Sequence, residues 1–337
     1  MICILILGMH RSGTSAFAGA LNLLGVSMGK ELLEPAKDNP KGFYENKKIT
    51  FFNEYELLPK IGKRWDDLSA VFLEELEEDK LKEKAYSILV EDYKEKNIWG
   101  IKDPRLCILF PFWEGVIKKL NAEIRIIIPY RNPVEVAFSL FHRDRLSIGK
   151  GLLLWAKYNL YAEYYSRKYR RIFVSYDELL KDPIKTMDEI QNYLEIPLSV
   201  GDKKKEIKEF LDRRLKKFNL SLSDLPENTP SFVKETAYLL EELSYRKRED
   251  SSELRSIFDS LKEEYEKEAD FFCEDLIGEK IQLFWKDRNR ENFALLDIKP
   301  TRRFQEISYK FPENSNLKLI ALKLLNKPCI LEIERIS

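Results

Sequence analysis

The chain predicts an α/β fold, a parallel sheet flanked by helices, and three observations predict it. Four short apolar runs, Ile2–Leu7, Asn97–Ile101, Ile124–Tyr130 and Arg171–Val174, are spaced by helical patterns, the signature of βαβ units with both sheet faces covered. Each run leads into a polar, chemically suggestive stretch: "GMHRSGTS", "KDPR", "YRNP" and "SYDEL". Open α/β sheets bind ligands at the carboxyl ends of their strands, so these four stretches are expected at one edge. After about Pro197 the texture changes twice. Residues 201–279 alternate charged and apolar residues with helical spacing, and residues 280–337 carry short strand-like runs. The expected organisation is therefore an α/β domain over 1–200, a helical extension over 201–279 and a small β module over 280–337, incomplete at its last strand.

The first run ends in Gly8, and Gly13-Thr14-Ser15 follow after four residues. This is nearly the G-x-x-x-x-G-K-[ST] phosphate loop, with Thr14 where the lysine belongs and a cation, Arg11, inside the loop. A loop between a buried strand and a helix presents unpaired N–H groups and the positive end of a helix dipole. Ser12, Thr14 and Ser15 add hydroxyls, and Arg11 adds a bidentate donor. The following segment, "SAFAGALNLLG", reads as a helix closed by Gly25. In the third element, Asn132 is expected to cap, Pro133 to take the first helical position, and Glu135 to complete a capping box. Thr229-Pro230 reads as another helix start, and the charge runs around it as solvated helix faces. In the last module "IQLFW", "RRFQEISYKF", "LKLIALKL" and "CILEIERI" read as strands.

Composition narrows the function classes. Lys+Arg and Asp+Glu both number 57, so no global basic field exists to recruit nucleic acid or an anionic membrane. The four cysteines, Cys3, Cys107, Cys273 and Cys329, lack metal-ligand spacing and read as free thiols of a reducing compartment. Ile2–Leu7 is too short for a signal peptide, and no run approaches the roughly 18 apolar residues of a membrane span. A cytoplasmic protein is the expectation.

The loop "GMHRSGTS" resembles the 5′-phosphosulfate loop of the sulfotransferase superfamily, which carries a cation directly before Ser-Gly-Thr and uses 3′-phosphoadenosine 5′-phosphosulfate (PAPS). "IIIPYRNPVEVAFSLFHRD" resembles the family's 3′-phosphate motif, an Arg at a strand end and a Ser eight residues later, here Arg131 and Ser139. "IFVSYDELLKDP" resembles the segment whose aromatic residue contacts adenine, which matches Tyr176; packing of that ring on the core is the alternative. "NIWGIKDPRL" is similar to the strand whose lysine lies near the transferred group, here Lys102. The resemblance covers roughly residues 1–195. It implies a P-loop-like phosphosulfate loop, donor binding by Arg11, Ser12, Gly13, Thr14, Ser15, Arg131, Ser139 and Tyr176, and no metal.

The reaction it implies is sulfuryl transfer to an acceptor hydroxyl, with a carbohydrate as one acceptor class. Lys102 or Arg11 would neutralise the leaving group. The family's base is a histidine in some members and a glutamate after the first helix in others. His10 and His142 do not stand in the family histidine's context, and Glu45, in the polar stretch "LLEPAKDNPKGFYENKKI", is the candidate base. Asp103 and His10 are the substitutes, although Asp103 and Arg105 are also spaced to pair with each other. Two rival readings are an ATP- and Mg²⁺-dependent nucleoside or sugar kinase, and a nucleotide- or glycan-binding protein without turnover. The missing loop lysine counts against the kinase.

Overall fold

Strand β1 (Ile2–Ile6) is buried along nearly its whole length and pairs in parallel with β2 (Ile98–Lys102) on one side and β3 (Glu123–Tyr130) on the other. β4 (Arg170–Ser175) pairs in parallel with β3, so the sheet order is β2-β1-β3-β4. Continuous apolar runs such as "ICILI" and "IRIIIPY" suit this arrangement, because a parallel strand covered on both faces has no solvent side. The chain leaves β1 toward β2 and returns past β1 to β3. The crevice at the carboxyl ends of β1 and β3 is thus a topological switch point.

The computed structural model describes residues 1–37, 39–211, 216, 218–246 and 249–274, together with three later strands; side chains are described up to residue 269. Helix α1 (Thr14–Leu23) follows the first loop, and Gly25, at φ 91°, ends it in the left-handed region. α2 (Lys47–Phe52) runs through a π-helical turn, Asn53–Leu57, into the short α3 (Leu58–Lys60). α4 (Asp79–Tyr93) precedes β2, α5 (Leu106–Lys118) follows it, and α6 (Pro133–Asp144) and α7 (Ile148–Ser166) join β3 to β4. α8 (Tyr176–Lys181), α9 (Pro183–Leu194) and α10 (Lys204–Phe210) come next. Ile4, Ile6, Phe17, Leu21, Val174, Leu179, Ile190 and Leu194 form one continuous core between β1, β4, α1 and α9.

The first of the later helices belongs with this sheet. α11 (Ser231–Ser244) packs on β3, β4 and α7 through Phe232, Val233, Ala237 and Leu240. α12 (Ser252–Glu274) buries Leu254, Phe258, Leu261, Tyr265 and Ala269, the stripe that an amphipathic helix presents every three to four residues. The chain divides into two compact units, 1–267 and 268–337, so the boundary expected at residue 200 lies inside the first unit. The reason is α11: its apolar face completes the cover over β3 and β4. α11 also begins one residue later than Thr229-Pro230 suggested. Pro230 is its N-cap, and the Thr229 hydroxyl is buried without a hydrogen-bond partner among the described residues.

In the second unit, β5 (Lys280–Asp287), β6 (Arg290–Asp297) and β7 (Leu317–Leu324) form an antiparallel sheet in the order β6-β5-β7. "IQLFW" and "LKLIALKL" fall in β5 and β7. β6 was not expected, since "RENFALLD" carries too little alternation to declare itself; its pairing with β5 places it. "RRFQEISYKF" and "CILEIERI" lie outside the described residues. Cys3 and Cys107 are buried free thiols whose pKa burial pushes well up; the side chains of Cys273 and Cys329 lie outside the described residues.

Candidate active site

All four strands point the same way, so the stretches that follow them meet at one edge. The loop after β1 holds two left-handed residues, Arg11 at φ 70° and Gly13 at φ 84°. Alternating hand of this kind forms a concave nest of backbone N–H groups suited to an anion. Gly13 is the N-cap of α1, with no side-chain cap, so a polar ligand can meet the first-turn amides. A Cβ on Gly13 would lie 2.3 Å from Cδ2 of Tyr176, so only glycine lets this loop pass beneath that ring. Thr14 is buried, and the fully buried Ser12 hydroxyl has no hydrogen-bond partner among the described residues.

Arg11 reaches across to α6, where its Nε donates to Ser139 Oγ at 2.8 Å. Arg131 follows β3 and donates from Nη1 to the Arg11 carbonyl at 2.8 Å; its guanidinium sits 5.3 Å from the centre of the Tyr176 ring. The carbonyl of Arg131 accepts from Trp155 Nε1 at 3.1 Å. Arg131 and Ser139 are thus joined through Arg11. Asn132 caps α6 as expected, accepting from Val134 N at 2.9 Å. The capping box is not formed. Glu135 is fully buried and accepts from Arg131 Nε at 2.9 Å, Leu220 N at 3.0 Å and Lys216 Nζ at 3.1 Å. A buried carboxylate needs such partners, and Arg131 outcompetes the cap because it also neutralises the charge.

Lys102 ends β2 and is buried against Glu45 in a hydrogen-bonded ion pair; its Nζ also lies 3.3 Å from Ser15 Oγ. Asn39 Nδ2 approaches the same hydroxyl at 3.1 Å. Glu45 is held by its neighbour: Asn46 caps α2 through Lys48 N at 3.0 Å, and its Nδ2 donates to Asp92 Oδ2 at 2.6 Å and Tyr93 OH at 2.9 Å. Burial raises the pKa of Glu45, against the opposing pull of Lys102. Its Oε1 faces Lys102, and its Oε2 makes no hydrogen bond among the described residues.

The two substitute bases fare differently. Asp103 is fully buried and accepts from Asn53 Nδ2, Arg105 N and Arg105 Nη1, each at 2.9 Å. Those three donors make it a structural anchor with Arg105, as the spacing allowed, and remove it as a base. His10 packs 4.7 Å from the Trp65 ring centre, and its Nε2 has no hydrogen-bond partner among the described residues. Burial, with Arg143, Arg105, Lys102 and Arg11 nearby, holds its pKa well below the ordinary value. His142 is exposed and stacks on Phe218 at 5.8 Å.

A cavity of about 480 Å³ joins these groups. Arg11, Gly13, Thr14, Ser15, Glu45, Lys102, Arg131, Ser139 and Tyr176 all line it; Ser12 lies behind. Trp65, Arg105, Arg143, Phe210 and Phe218 line it too, and none of these stood out as a site residue in the sequence. The sulfotransferase domain family matches residues 2–239.

The chain belongs to the sulfotransferase family.

Structural neighbours carry the same label. The sulfotransferase domain of the Synechococcus PCC 7002 olefin synthase is 16% identical over 71% of this chain and 94% of its own, with a TM-score of 0.43. The sulfotransferase domain from the curacin biosynthetic pathway is 15% identical over 71% of this chain and 97% of its own, with a TM-score of 0.39. A comparison with curated proteins gives no match. In this sulfotransferase, no helix among the described residues is long and apolar enough to cross a membrane. No group of three or more His, Cys, Asp or Glu side chains among them could hold a metal ion.

Proposed function

We propose that this sulfotransferase moves a sulfuryl group from PAPS to an acceptor hydroxyl in the cavity between the phosphate loop and the Lys102–Glu45 pair. The observation that carries the reading is the convergence of Arg11, Arg131 and Ser139 beside the glycine loop, with Lys102 and Glu45 in the same cavity. The residues fit the donor: the left-handed turn at Arg11 and Gly13 and the cavity-lining Thr14 and Ser15 suit its 5′-phosphosulfate, whereas Ser12 lies behind them. Arg131 and Ser139 suit its 3′-phosphate, and Tyr176, packed between Gly13 and Arg131, offers a ring edge to the adenine.

In the transfer, the acceptor oxygen bonds to sulfur as the bond from sulfur to the 5′-phosphate oxygen breaks. Glu45 Oε2 takes the hydroxyl proton, and its burial-raised proton affinity strengthens it as a base near neutral pH. Lys102, Arg11 and the α1 amides face the phosphate oxygen on which charge develops, the position at which preorganised donors lower a barrier most. Lys102 changes partners in this scheme, from the Glu45 carboxylate toward the leaving oxygen, as Glu45 becomes neutral.

The test is transfer of radiolabelled sulfuryl from PAPS to a mixture of sugars, phenols and alcohols in excess EDTA. Labelled product is expected. Phosphoryl transfer from ATP that requires Mg²⁺, with none from PAPS, would establish the kinase reading instead.

A further inference from the structure

The chain between Glu31 and Lys47 doubles back on itself beside the phosphate loop. Leu33 N donates to the Glu45 carbonyl and Lys47 N to the Glu31 carbonyl, each at 2.9 Å, and Leu32 faces Asn46 in an antiparallel bridge. At the tip, Ala36 and Asn39 exchange backbone hydrogen bonds at 3.3 and 2.8 Å, and Gly42 N donates to the Asn39 carbonyl at 3.1 Å. The tip is fixed to α10. Lys41 Nζ donates to the carbonyls of Phe210 and Glu209, and Tyr44 meets the Phe210 ring edge-on, with 5.7 Å between ring centres. Glu45 near the base and Asn39 at the tip are therefore parts of one braced unit, and both line the cavity.

Asn39 reaches from this unit to the first turn of α1, where its Nδ2 donates to Ser15 Oγ at 3.1 Å. Lys102 Nζ donates to the same oxygen at 3.3 Å, and to Glu45 as well. A serine oxygen accepts through two lone pairs and donates through one hydrogen. With both lone pairs taken, the Ser15 hydroxyl can only donate, and its hydrogen is turned away from Asn39 and Lys102. Ser15 lines the cavity with Gly13 and Thr14, on the side to which the α1 amides also point. The two groups that hold Ser15 differ in a way that matters for turnover. Lys102 carries a charge that shifts from Glu45 to the leaving oxygen during transfer. The Asn39 amide carries no charge, does not titrate and is fixed by its backbone turn.

Resting on the sulfuryl-transfer reading, we propose that Asn39 is a positioning residue for the reaction. Its amide holds Ser15 Oγ so that the Ser15 hydroxyl donates to the 5′-phosphate oxygen from which sulfur departs. Asn39 exchanges no proton in this role. It keeps one hydrogen bond on the oxygen that gains charge while Lys102 changes partners, and a donor preorganised at that position lowers the barrier.

The test compares 3′-phosphoadenosine 5′-phosphate (PAP) with adenosine 3′-monophosphate by calorimetry, because the two differ only in the 5′-phosphate that Ser15 faces. The wild type should bind PAP roughly 30-fold or more tightly than the monophosphate. Asn39→Ala should lower that preference by roughly 3–10-fold and leave the affinity for the monophosphate unchanged. Asn39→Asp keeps the shape but puts an acceptor where the amide donor stood. It takes the Ser15 hydrogen and sets a negative charge beside the phosphate, so the preference should fall by roughly 10-fold or more; it also serves should Asn39→Ala fail to fold. Labelled transfer from PAPS to the mixture of sugars, phenols and alcohols, at saturating PAPS, should slow by roughly 10-fold or more in Asn39→Ala. In a Ser15→Ala background, Asn39→Ala should change neither readout further. A merely structural role would cost the same with or without the Ser15 hydroxyl. Wild-type preference in Asn39→Asp, or an Asn39→Ala loss of equal size in the Ser15→Ala background, overturns the proposal. A wild type that binds neither nucleotide, binds both alike or transfers no label overturns the sulfuryl-transfer reading instead.

Discussion

Replacing Gly13 by alanine tests how the phosphate loop and Tyr176 depend on each other. Gly13 has φ 84°, and a Cβ there would lie 2.3, 2.7 and 2.9 Å from Cδ2, Cγ and Cε2 of Tyr176. Gly25 is a natural control: its φ is 91°, and a Cβ would meet nothing within 4 Å. Both substitutions carry the left-handed cost of about 1–2 kcal/mol for a residue with a Cβ. Only Gly13→Ala must also displace a ring that is buried and stacked with Arg131. Losing part of that burial and the cation–π contact adds about 2 kcal/mol. Gly13→Ala should therefore cost about 3–4 kcal/mol and Gly25→Ala about 1–2 kcal/mol. Urea unfolding followed by tryptophan fluorescence reports on this, because Trp65, Trp99, Trp113 and Trp155 all lie in the first unit. In a Tyr176→Ala background the excess cost of Gly13→Ala should vanish, which a double-mutant cycle measures. Equal losses for Gly13→Ala and Gly25→Ala, or an excess that persists without the ring, would refute the packing argument.

Four further outcomes follow from the same geometry. Glu45→Gln should lower turnover by roughly 10²–10⁴-fold, the usual contribution of a positioned base, and leave PAP affinity in a calorimeter nearly unchanged. Because burial raises the Glu45 pKa, the acid limb of kcat/KM should lie above the ordinary carboxylate value of about 4.3, and it should disappear in Glu45→Gln. His10 works the opposite way: its folded pKa is depressed, so the unfolded chain takes up a proton first as pH falls below about 6.5. Stability should then fall on acidification below that pH, and urea unfolding at several pH values should show a smaller slope in His10→Gln. Asn46→Ala removes the cap of α2 and two buried hydrogen bonds beside Glu45. It should cost about 2–3 kcal/mol in urea and lower kcat more than it weakens PAP binding.

The meeting of Arg11, Arg131 and Ser139 beside the glycine loop was legible in the chain because its signals are local. A glycine loop after a buried run, an Arg at a strand end and a Ser two helical turns on are each read within a dozen residues, and parallel strands bring them to one edge. Glu45 could be named as a candidate, but not its ion pair with Lys102, 57 positions away. Glu135 was misread because a capping box and a buried salt bridge ask for the same residue at the same place; only the nearness of Lys216 and Leu220 decides between them. Trp65 was invisible for the opposite reason. Its segment has no periodicity, and α7, about 90 positions later, holds it in place. Helix α11 looked like the start of an appendage by composition, yet Phe232 and Leu240 are among the buried residues that cover the sheet.

The central claim, that Arg131 and its neighbours hold a 3′-phosphorylated adenine nucleotide, is tested most directly by calorimetry of PAP against adenosine 5′-monophosphate. The two ligands differ only in the 3′-phosphate. The wild type should bind PAP roughly 30–100-fold more tightly, the value of one charge-assisted phosphate contact, and Arg131→Ala should bring the ratio close to one. A wild type that binds both alike, or an Arg131→Ala variant that keeps the full ratio, would contradict it.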